Sequence, residues 1–221
     1  DPFKPVEKAI ITHAHSDHFT HGCREYTCSI ETALLLRKRF GNNLNLKVID
    51  YDKKFLINGI NFSLHPSGHI LGSSQIKIIA GSEIWLITSD FKRQKDKTCK
   101  KYKKLKTDVL ICESTFGLPI FNWDSPKIII DNIAKWANQY EDSTSILFCY
   151  SLGKAQRLLS ELDNNNFKNI YIHKNIYKMN TIYKSLGIEL AETKIFENDL
   201  DINSLKNSLL LLPPSLNNKN F

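Results

Sequence analysis

Short apolar runs separated by turns dominate the first half of the chain. ETALLLRKRF at 31–40 has the apolar spacing of a helix, which is predicted to end at Gly41. The other apolar runs are β-branched and predict strands in KAIITH (8–13), LKVID, INFSLH, SQIKIIA, EIWLITSD and DVLICEST. One helix among many strands predicts a mixed sheet, or a sandwich of sheets with helices outside.

From about Phe121 the pattern alternates helices with strands. Ser125 as N-cap and Pro126 in the first turn open the first of these helices. Helices are predicted in SPKIIIDNIAKWANQY, LGKAQRLLSELDNNN and NIYKMNTIYKSLG, and strands in SILFCY, KNIYIH and SLLLL. This order predicts a parallel, doubly wound sheet. The chain is therefore expected to be α/β, with a change of organisation at about Phe121.

Composition narrows the class of protein. No apolar run approaches the roughly 20 residues that span a membrane, and the opening DPFKPVEK lacks a signal-peptide pattern. The five cysteines are odd in number and form no C-x-x-C pair, so the sequence suggests neither a disulfide framework nor a structural zinc knuckle. A reducing compartment such as the cytoplasm fits this cysteine usage best. The missing initiator Met and the end soon after a strand-like run indicate a fragment. The net charge of +7 favours an anionic partner.

Four histidines and an aspartate are crowded into residues 11–22, directly after the first predicted strand. Side chains alternate faces along a strand, so His13 and His15 project the same way and can reach one metal. Asp17 and His18 return to the same place a turn later. Imidazole and carboxylate suit Zn²⁺, so the two ligand sets can hold two zinc ions, with His21 outside the site. The alternative is a surface cluster of polar residues at the start of a helix.

Three further polar groups follow predicted strands. They are His69 in SGH, Asp90 in TSD and Glu113 in ESTFG. Any one of them alone would be interpreted as a cap or a turn. Together they indicate a site at one sheet edge, with Asp90 as a bridging carboxylate. His65 and His173 are expected to be structural.

A strongly basic run follows Asp90. Nine of the fifteen residues at 92–106 are Lys or Arg, against one Asp. Such a run is ordinarily a solvated loop, but beside a metal centre it favours a polyanion whose phosphodiester enters that centre. Phe91 and Tyr102 are candidates for stacking on bases. The predicted substrate-binding residues are Lys92, Arg93, Lys95 and, in the later GKAQ segment, Lys154.

The motifs HAHSDH, SGH, TSD and ESTFG together resemble the metallo-β-lactamase fold in its β-CASP branch of nucleic-acid hydrolases. The phrases DPFKPVEKAIITHAHSDH, LHPSGHILGSSQIKI, ESTFGLPIFNW and YSLGKAQRLL look closest to bacterial ligase-associated DNA exonucleases. That subgroup is similar to Artemis-type DNA nucleases and to the mRNA 3′-end processing endonuclease. The resemblance covers roughly residues 1–173. It implies an N-terminally truncated αββα core at 1–118 and a partial Rossmann-like β-CASP cap at 119–221.

The resemblance also implies roles for individual residues. His13, His15 and His69 would hold one zinc, Asp17 and His18 a second, and Asp90 would bridge them, with manganese as the alternative ion. Glu113 matches the acidic residue of the first β-CASP motif and would orient a catalytic histidine. That histidine and one more ligand of the second zinc are expected beyond Phe221.

The leading functional hypothesis is a zinc-dependent phosphodiester hydrolase that acts on DNA as a repair exonuclease. A hydroxide shared by the two zinc ions would attack phosphorus, with Asp17, Asp90 and Glu113 as the catalytic residues. A DNA ligase or helicase partner is implied by the resemblance alone. Three alternatives stay open: a β-CASP RNA-processing ribonuclease, a hydrolase of small thioesters or lactams, which the basic loop and the cap disfavour, and a catalytically incomplete, metal-holding nucleic-acid-binding module.

Overall fold

A computed structural model describes residues 1–162, 167, 169–197 and 205–217, and the chain has the α/β fold that the sequence predicts. Contacts divide it into two units, 1–117 and 118–221. The elements of unit 1 are β1 (Lys8–Ile10), β2 (Glu25–Cys28), α1 (Ile30–Phe40), β3 (Leu46–Val48), β4 (Lys54–Ile57), β5 (Ile60–Pro66), β6 (Ser74–Ala80), β7 (Glu83–Ile87) and β8 (Val109–Ile111).

Unit 1 contains two sheets. The first is parallel, in the order β1-β2-β3, and the second has the order β4-β5-β6-β7-β8, antiparallel except for the parallel pair β7 and β8. Phe55, Leu64 and Ile76 of the second sheet form a buried cluster, and Ile10 of the first sheet packs against it. The two sheets therefore share one apolar core, in which burial of such side chains typically contributes about 1.5–3 kcal/mol each.

The first predicted strand is shorter than the sequence indicates. It was expected over 8–13 but ends at Ile10. The Ile11 amide still donates to the Thr27 carbonyl, but the Thr12 amide donates instead to the Asp1 carboxylate, at 2.7 Å. A side chain therefore replaces the ladder bond, and the chain leaves the sheet just before the histidines.

Other differences in unit 1 concern short elements. Strands β2 and β4 were not predicted, and the strands predicted in EIWLITSD and DVLICEST are confined to β7 and β8. Helix α1 begins one residue earlier than predicted because Ser29 caps it, accepting a hydrogen bond from the Thr32 amide. It ends before Gly41, as predicted.

The elements of unit 2 are α2 (Pro126–Asn138), β9 (Thr144–Phe148), α3 (Lys154–Glu161), β10 (Asn169–Ile172), α4 (Lys174–Ser185), β11 (Lys194–Ile195) and β12 (Ser208–Leu212). The described strands of this unit form a sheet in the order β11-β10-β12-β9, and all three pairings are parallel, as predicted. Leu209 and Leu211 face a cluster with residues of the helices, whereas Leu210 and Leu212 pack on the opposite face with Phe196 and Leu205.

The N-cap predicted at Ser125 is present, since its hydroxyl accepts a hydrogen bond from the Ile128 amide and Pro126 opens α2. Strand β11 was not predicted. All five cysteines lie among the described residues and are free thiols. In the described parts of the chain, none of the helices combines the length and the apolar character that crossing a bilayer requires.

Candidate metal centre

Four ligand-type side chains meet in unit 1. One donor atom from each lies within 4.8 Å of the other three, and His13 among them is buried. Nε2 of His13 is 3.0 Å from Nδ1 of His15, and Nε2 of His69 is 3.3 Å from the same nitrogen. Oδ2 of Asp90 lies 3.8 Å from Nε2 of His13 and 3.5 Å from Nε2 of His69. The members of this histidine–aspartate cluster are His13, His15, His69 and Asp90.

Three separate connections bring these side chains together. His13 and His15 follow β1, with His15 at the start of the 3-10 turn Ser16–His18. His69 follows β5, and its amide donates to the Ser73 hydroxyl at 3.1 Å, which fixes the turn that carries it. Asp90 lies three residues beyond β7. Sheet topology thus brings His69 and Asp90 to His13 and His15, which are already close in sequence.

A second group lies on the other side of the Asp90 carboxylate. Nε2 of His18 is 3.5 Å from Oδ1 of Asp90 and 3.7 Å from Oδ2 of Asp17. The two oxygens of Asp90 therefore face different imidazoles, Oδ2 toward His13 and His69 and Oδ1 toward His18. The Asp17 side chain is 78% exposed, so this second group is more open to solvent than the first.

The protonation states of the histidines in the cluster allow them to bind a cation. Burial lowers the pKa of His13 well below its usual 6.5, and the adjacent His18, His15 and His69 lower it further. Burial together with His15 and Lys92 lowers the pKa of His69 to about 3. These rings are neutral at pH 7, so their nitrogen lone pairs are available to a metal. Burial raises the pKa of Asp90, and the nearby carboxylates of Glu113 and Asp17 raise it further against the opposing effect of His18.

The donor set fits zinc. Neutral imidazole nitrogens and a carboxylate are ligands that Zn²⁺ prefers, and a tetrahedral site needs four of them. Two imidazole nitrogens 3.0 Å apart, one of them on a fully buried side chain, can share one proton at most. A bound cation would satisfy both lone pairs.

Glu113 lies beside the cluster and not within it. Its Oε1 accepts a hydrogen bond from the Phe91 amide at 3.0 Å, and its Oε2 accepts one from the Thr115 amide at 3.3 Å. Burial acts to raise the pKa of Glu113, but the hydrogen bonds from Thr115 and Phe91 outweigh it and the pKa is lowered. Glu113 therefore fixes the backbone directly after Asp90.

Several residues that support the cluster were missed by sequence reasoning. The Asp1 carboxylate accepts hydrogen bonds from the Thr12 hydroxyl at 2.7 Å and from Nδ1 of His18 at 2.8 Å. The Arg39 guanidinium, at the end of α1, donates to the Ala14 carbonyl between His13 and His15. Both contacts join residues distant in sequence. Arg39 is one of three basic residues in the last turn of α1, with Arg37 and Lys38, so the sequence carries no local signal of such a role.

The predicted substrate-binding residues fall into different environments. Lys92 directs its ammonium inward, to the Asp96 carboxylate and the His69 carbonyl. Arg93 and Lys95 are exposed on the same loop. Lys154 is the first residue of α3 in unit 2, and its ammonium lies 5.4 Å from the centre of the Tyr150 ring.

The remaining histidines have structural contacts. His21 packs against Phe19 and Phe40, at 4.9 and 5.6 Å between ring centres. His173 caps α4, accepting a hydrogen bond from the Asn175 amide at 3.2 Å. His65 is buried, with Nε2 2.9 Å from the Ser63 hydroxyl and Nδ1 against the Asp52 carboxylate.

Comparisons with known proteins add to this picture. The chain is 30% identical, over 97% of its length, to 21% of a protein named "Probable DNA ligase" from Opitutus terrae. It is 30% identical, over 53% of its length, to 14% of the Endoribonuclease YSH1 of Yarrowia lipolytica, and 28% identical, over 72%, to 19% of that of Candida albicans. The chain therefore spans about a fifth or less of the length of these relatives.

One solved structure, a protein of unknown function from Enterococcus faecalis V583, matches 96% of this chain and 59% of its own, with a TM-score of 0.59 and 12% identity. At that identity the likeness concerns the fold alone. No protein-family model matches the chain.

Proposed function

This chain belongs to the β-CASP branch of the metallo-β-lactamase-fold proteins, and on that premise we propose that it forms the metal-binding part of a nuclease that hydrolyses DNA. The observation that carries the proposal is the Asp90 carboxylate between two imidazole groups. One oxygen faces His13 and His69, and the other faces His18. A carboxylate in that position can bridge two divalent ions.

The residues divide into two ligand groups. His13, His15 and His69 would hold a first zinc ion, and Asp17 and His18 a second, with manganese as the alternative metal. Such ions, when bound, supply Lewis-acid charge to a phosphate and activate water for in-line attack. Arg93 and Lys95 are exposed and follow Asp90 closely in the sequence. They would neutralise phosphates that flank the scissile bond.

Glu113 has a positioning role in this proposal. Its carboxylate holds the Phe91 amide, so it fixes the direction in which Asp90 leaves β7. The lowered pKa of Glu113 keeps it ionised and accepting those bonds at neutral pH. Lys154 belongs to unit 2, and its contact with substrate stays a prediction.

Two observations bear on the substrate. DNA is favoured because the relative that matches 97% of the chain is named a probable DNA ligase, which also makes a ligase a candidate partner. RNA is the second candidate because several relatives that match 53–72% of the chain are named endoribonucleases. Action from a strand end in DNA repair belongs to the first proposal, and internal cleavage during RNA processing belongs to the second.

Matched DNA and RNA strands of one sequence, labelled at the 5′ end, test both proposals in the presence of zinc or manganese. We expect metal-dependent cleavage of the DNA strand by the intact wild-type gene product. Asp90→Ala should abolish cleavage while strand binding survives, because the variant removes the shared ligand and leaves the basic loop intact. Undiminished cleavage by Asp90→Ala after treatment with a chelator would sink the proposal, and cleavage of RNA alone would favour the second candidate.

A further inference from the structure

The basic loop, residues 92–106, is built onto the turn that carries His69. Four consecutive carbonyls of this ligand turn, residues 66–69, each accept a hydrogen bond from the loop. The donors and acceptors are Lys103 N to Pro66 O at 3.0 Å, Lys92 N to Ser67 O at 3.0 Å, Cys99 Sγ to Gly68 O at 3.4 Å and Lys92 Nζ to His69 O at 3.3 Å.

The side chain of Lys92 is the part of this arrangement that reaches the ligand residue itself. Its ammonium donates both to the His69 carbonyl and to Oδ2 of Asp96, and the side chain is only 20% exposed. Asp96 is buried in turn, and its Oδ1 accepts bonds from the amide and the hydroxyl of Thr98, at 2.8 and 2.6 Å. A short chain of charged groups therefore links the buried Asp-x-Thr turn to the backbone of a metal ligand.

These contacts give Lys92 a different environment from that of other basic residues in the loop. Arg93, Lys95 and Lys104 are exposed, whereas two of the three N–H groups of Lys92 are directed at protein oxygens. A buried carboxylate that lost its ammonium partner would be strongly destabilised, so Asp96 holds Lys92 in this inward position.

We propose that Lys92 is a positioning residue for the metal ligand His69, fixed by Asp96, and not a contact to substrate phosphate. This inference rests on the proposed function for the metal, but it assigns a new role to one of the basic residues. Lys92 sets the orientation of the His69 peptide unit, and through it the approach of the imidazole to the cluster. Partners of ligands that act in this way typically change metal affinity about 10–100-fold when removed.

Titration of the metal-free full chain with Co²⁺, followed by visible absorption and by competition with a chelator, tests the proposal without any turnover. We expect Lys92→Met and Asp96→Asn to weaken Co²⁺ binding about tenfold or more and to change the absorption bands. Lys92→Arg should retain more affinity than Lys92→Met. The double variant should be little worse than either single one, because both residues act through one link. Lys104→Met is the matched control on the same loop and should bind Co²⁺ as the wild type does.

The alternative role makes the opposite forecast. If Lys92 contacts phosphate, Lys92→Met keeps its Co²⁺ affinity while oligonucleotide binding weakens and its salt dependence falls, and the inference is overturned. Asp96→Asn carries the test if circular dichroism shows that Lys92→Met does not fold, because asparagine can still accept the Thr98 bonds. If the chain binds Co²⁺ but the intact gene product cleaves no nucleic acid, the proposed function alone is overturned, and a chain that binds no Co²⁺ overturns both.

Discussion

Gly68→Ala tests how tightly the basic loop is built onto the ligand turn. Gly68 has a φ of +73°, and a Cβ placed there would lie 2.3 Å from the Lys92 carbonyl oxygen and 2.9 Å from the Tyr102 amide. The left-handed backbone costs an alanine about 1–2 kcal/mol. Relief of the clash requires backbone to move, which breaks at least one buried loop–turn hydrogen bond at about 1–3 kcal/mol. We therefore expect the free energy of unfolding of unit 1 to fall by about 2–5 kcal/mol.

The matched control is Gly81→Ala. Gly81 also has a positive φ, of +61°, but nothing lies within 4 Å of its added Cβ, so only the backbone cost of about 1–2 kcal/mol applies. Urea unfolding followed by tryptophan fluorescence measures both variants, in a background where Trp123 and Trp136 are replaced by phenylalanine so that Trp85 reports on unit 1. Equal losses in the two variants would refute the clash, and with it the close packing of the loop on the turn.

Three further predictions concern acid, metal and salt. Burial lowers the pKa of His65, and the hydrogen bond from Lys103 lowers the pKa of Asp52. Acidification therefore reduces the stability of the folded chain, through His65 from pH 6.5 downward and through Asp52 below pH 3.8. The metal-free chain should therefore lose stability in urea unfolding between pH 7 and 5, with a smaller slope in His65→Gln, and an unchanged slope would contradict this. Arg39→Met should weaken Co²⁺ binding several-fold in chelator competition while the circular dichroism spectrum is kept, because it frees the Ala14 carbonyl beside His13 and His15. Arg93→Ala and Lys95→Ala should each reduce the slope of oligonucleotide affinity against salt by about 1 in fluorescence anisotropy, and no change would place them outside the interface.

The sequence predicted elements wherever a local signal was strong. Helix α2 begins at Pro126 after the Ser125 cap because both residues satisfy or remove amides of the first turn. The four leucines of β12 predicted a buried strand, and parallel neighbours flank it on both sides. Strands β2 and β4 have weaker patterns, EYTC and KFLI, and form because distant strands supply their hydrogen-bond partners.

The residues of the candidate site show the same difference between strong and weak local sequence signals. His69 and Asp90 could be suggested from sequence because each follows an apolar strand, and the structure brings both to His13 and His15. The supporting contacts of Asp1 and Arg39 have no such signal, since each joins residues more than ten positions apart. Composition also gave no means to distinguish Lys92 from Arg93, because only the fold places a buried carboxylate under one of them.

The attachment of the basic loop at both of its ends limits where residues can be inserted into the chain or deleted from it. Exposed polar loops are ordinarily the segments of a protein that tolerate added residues best, and this loop has that composition. Here the Lys92 and Lys103 amides are anchored to carbonyls of adjacent residues, so the ten residues between them must close a gap of fixed width. An insertion or deletion at positions 93–102 would therefore displace the turn that carries His69, although no residue of the loop belongs to the histidine–aspartate cluster. Tags, labels and domain fusions are better placed at the exposed hairpin tip around Gly81, between β6 and β7.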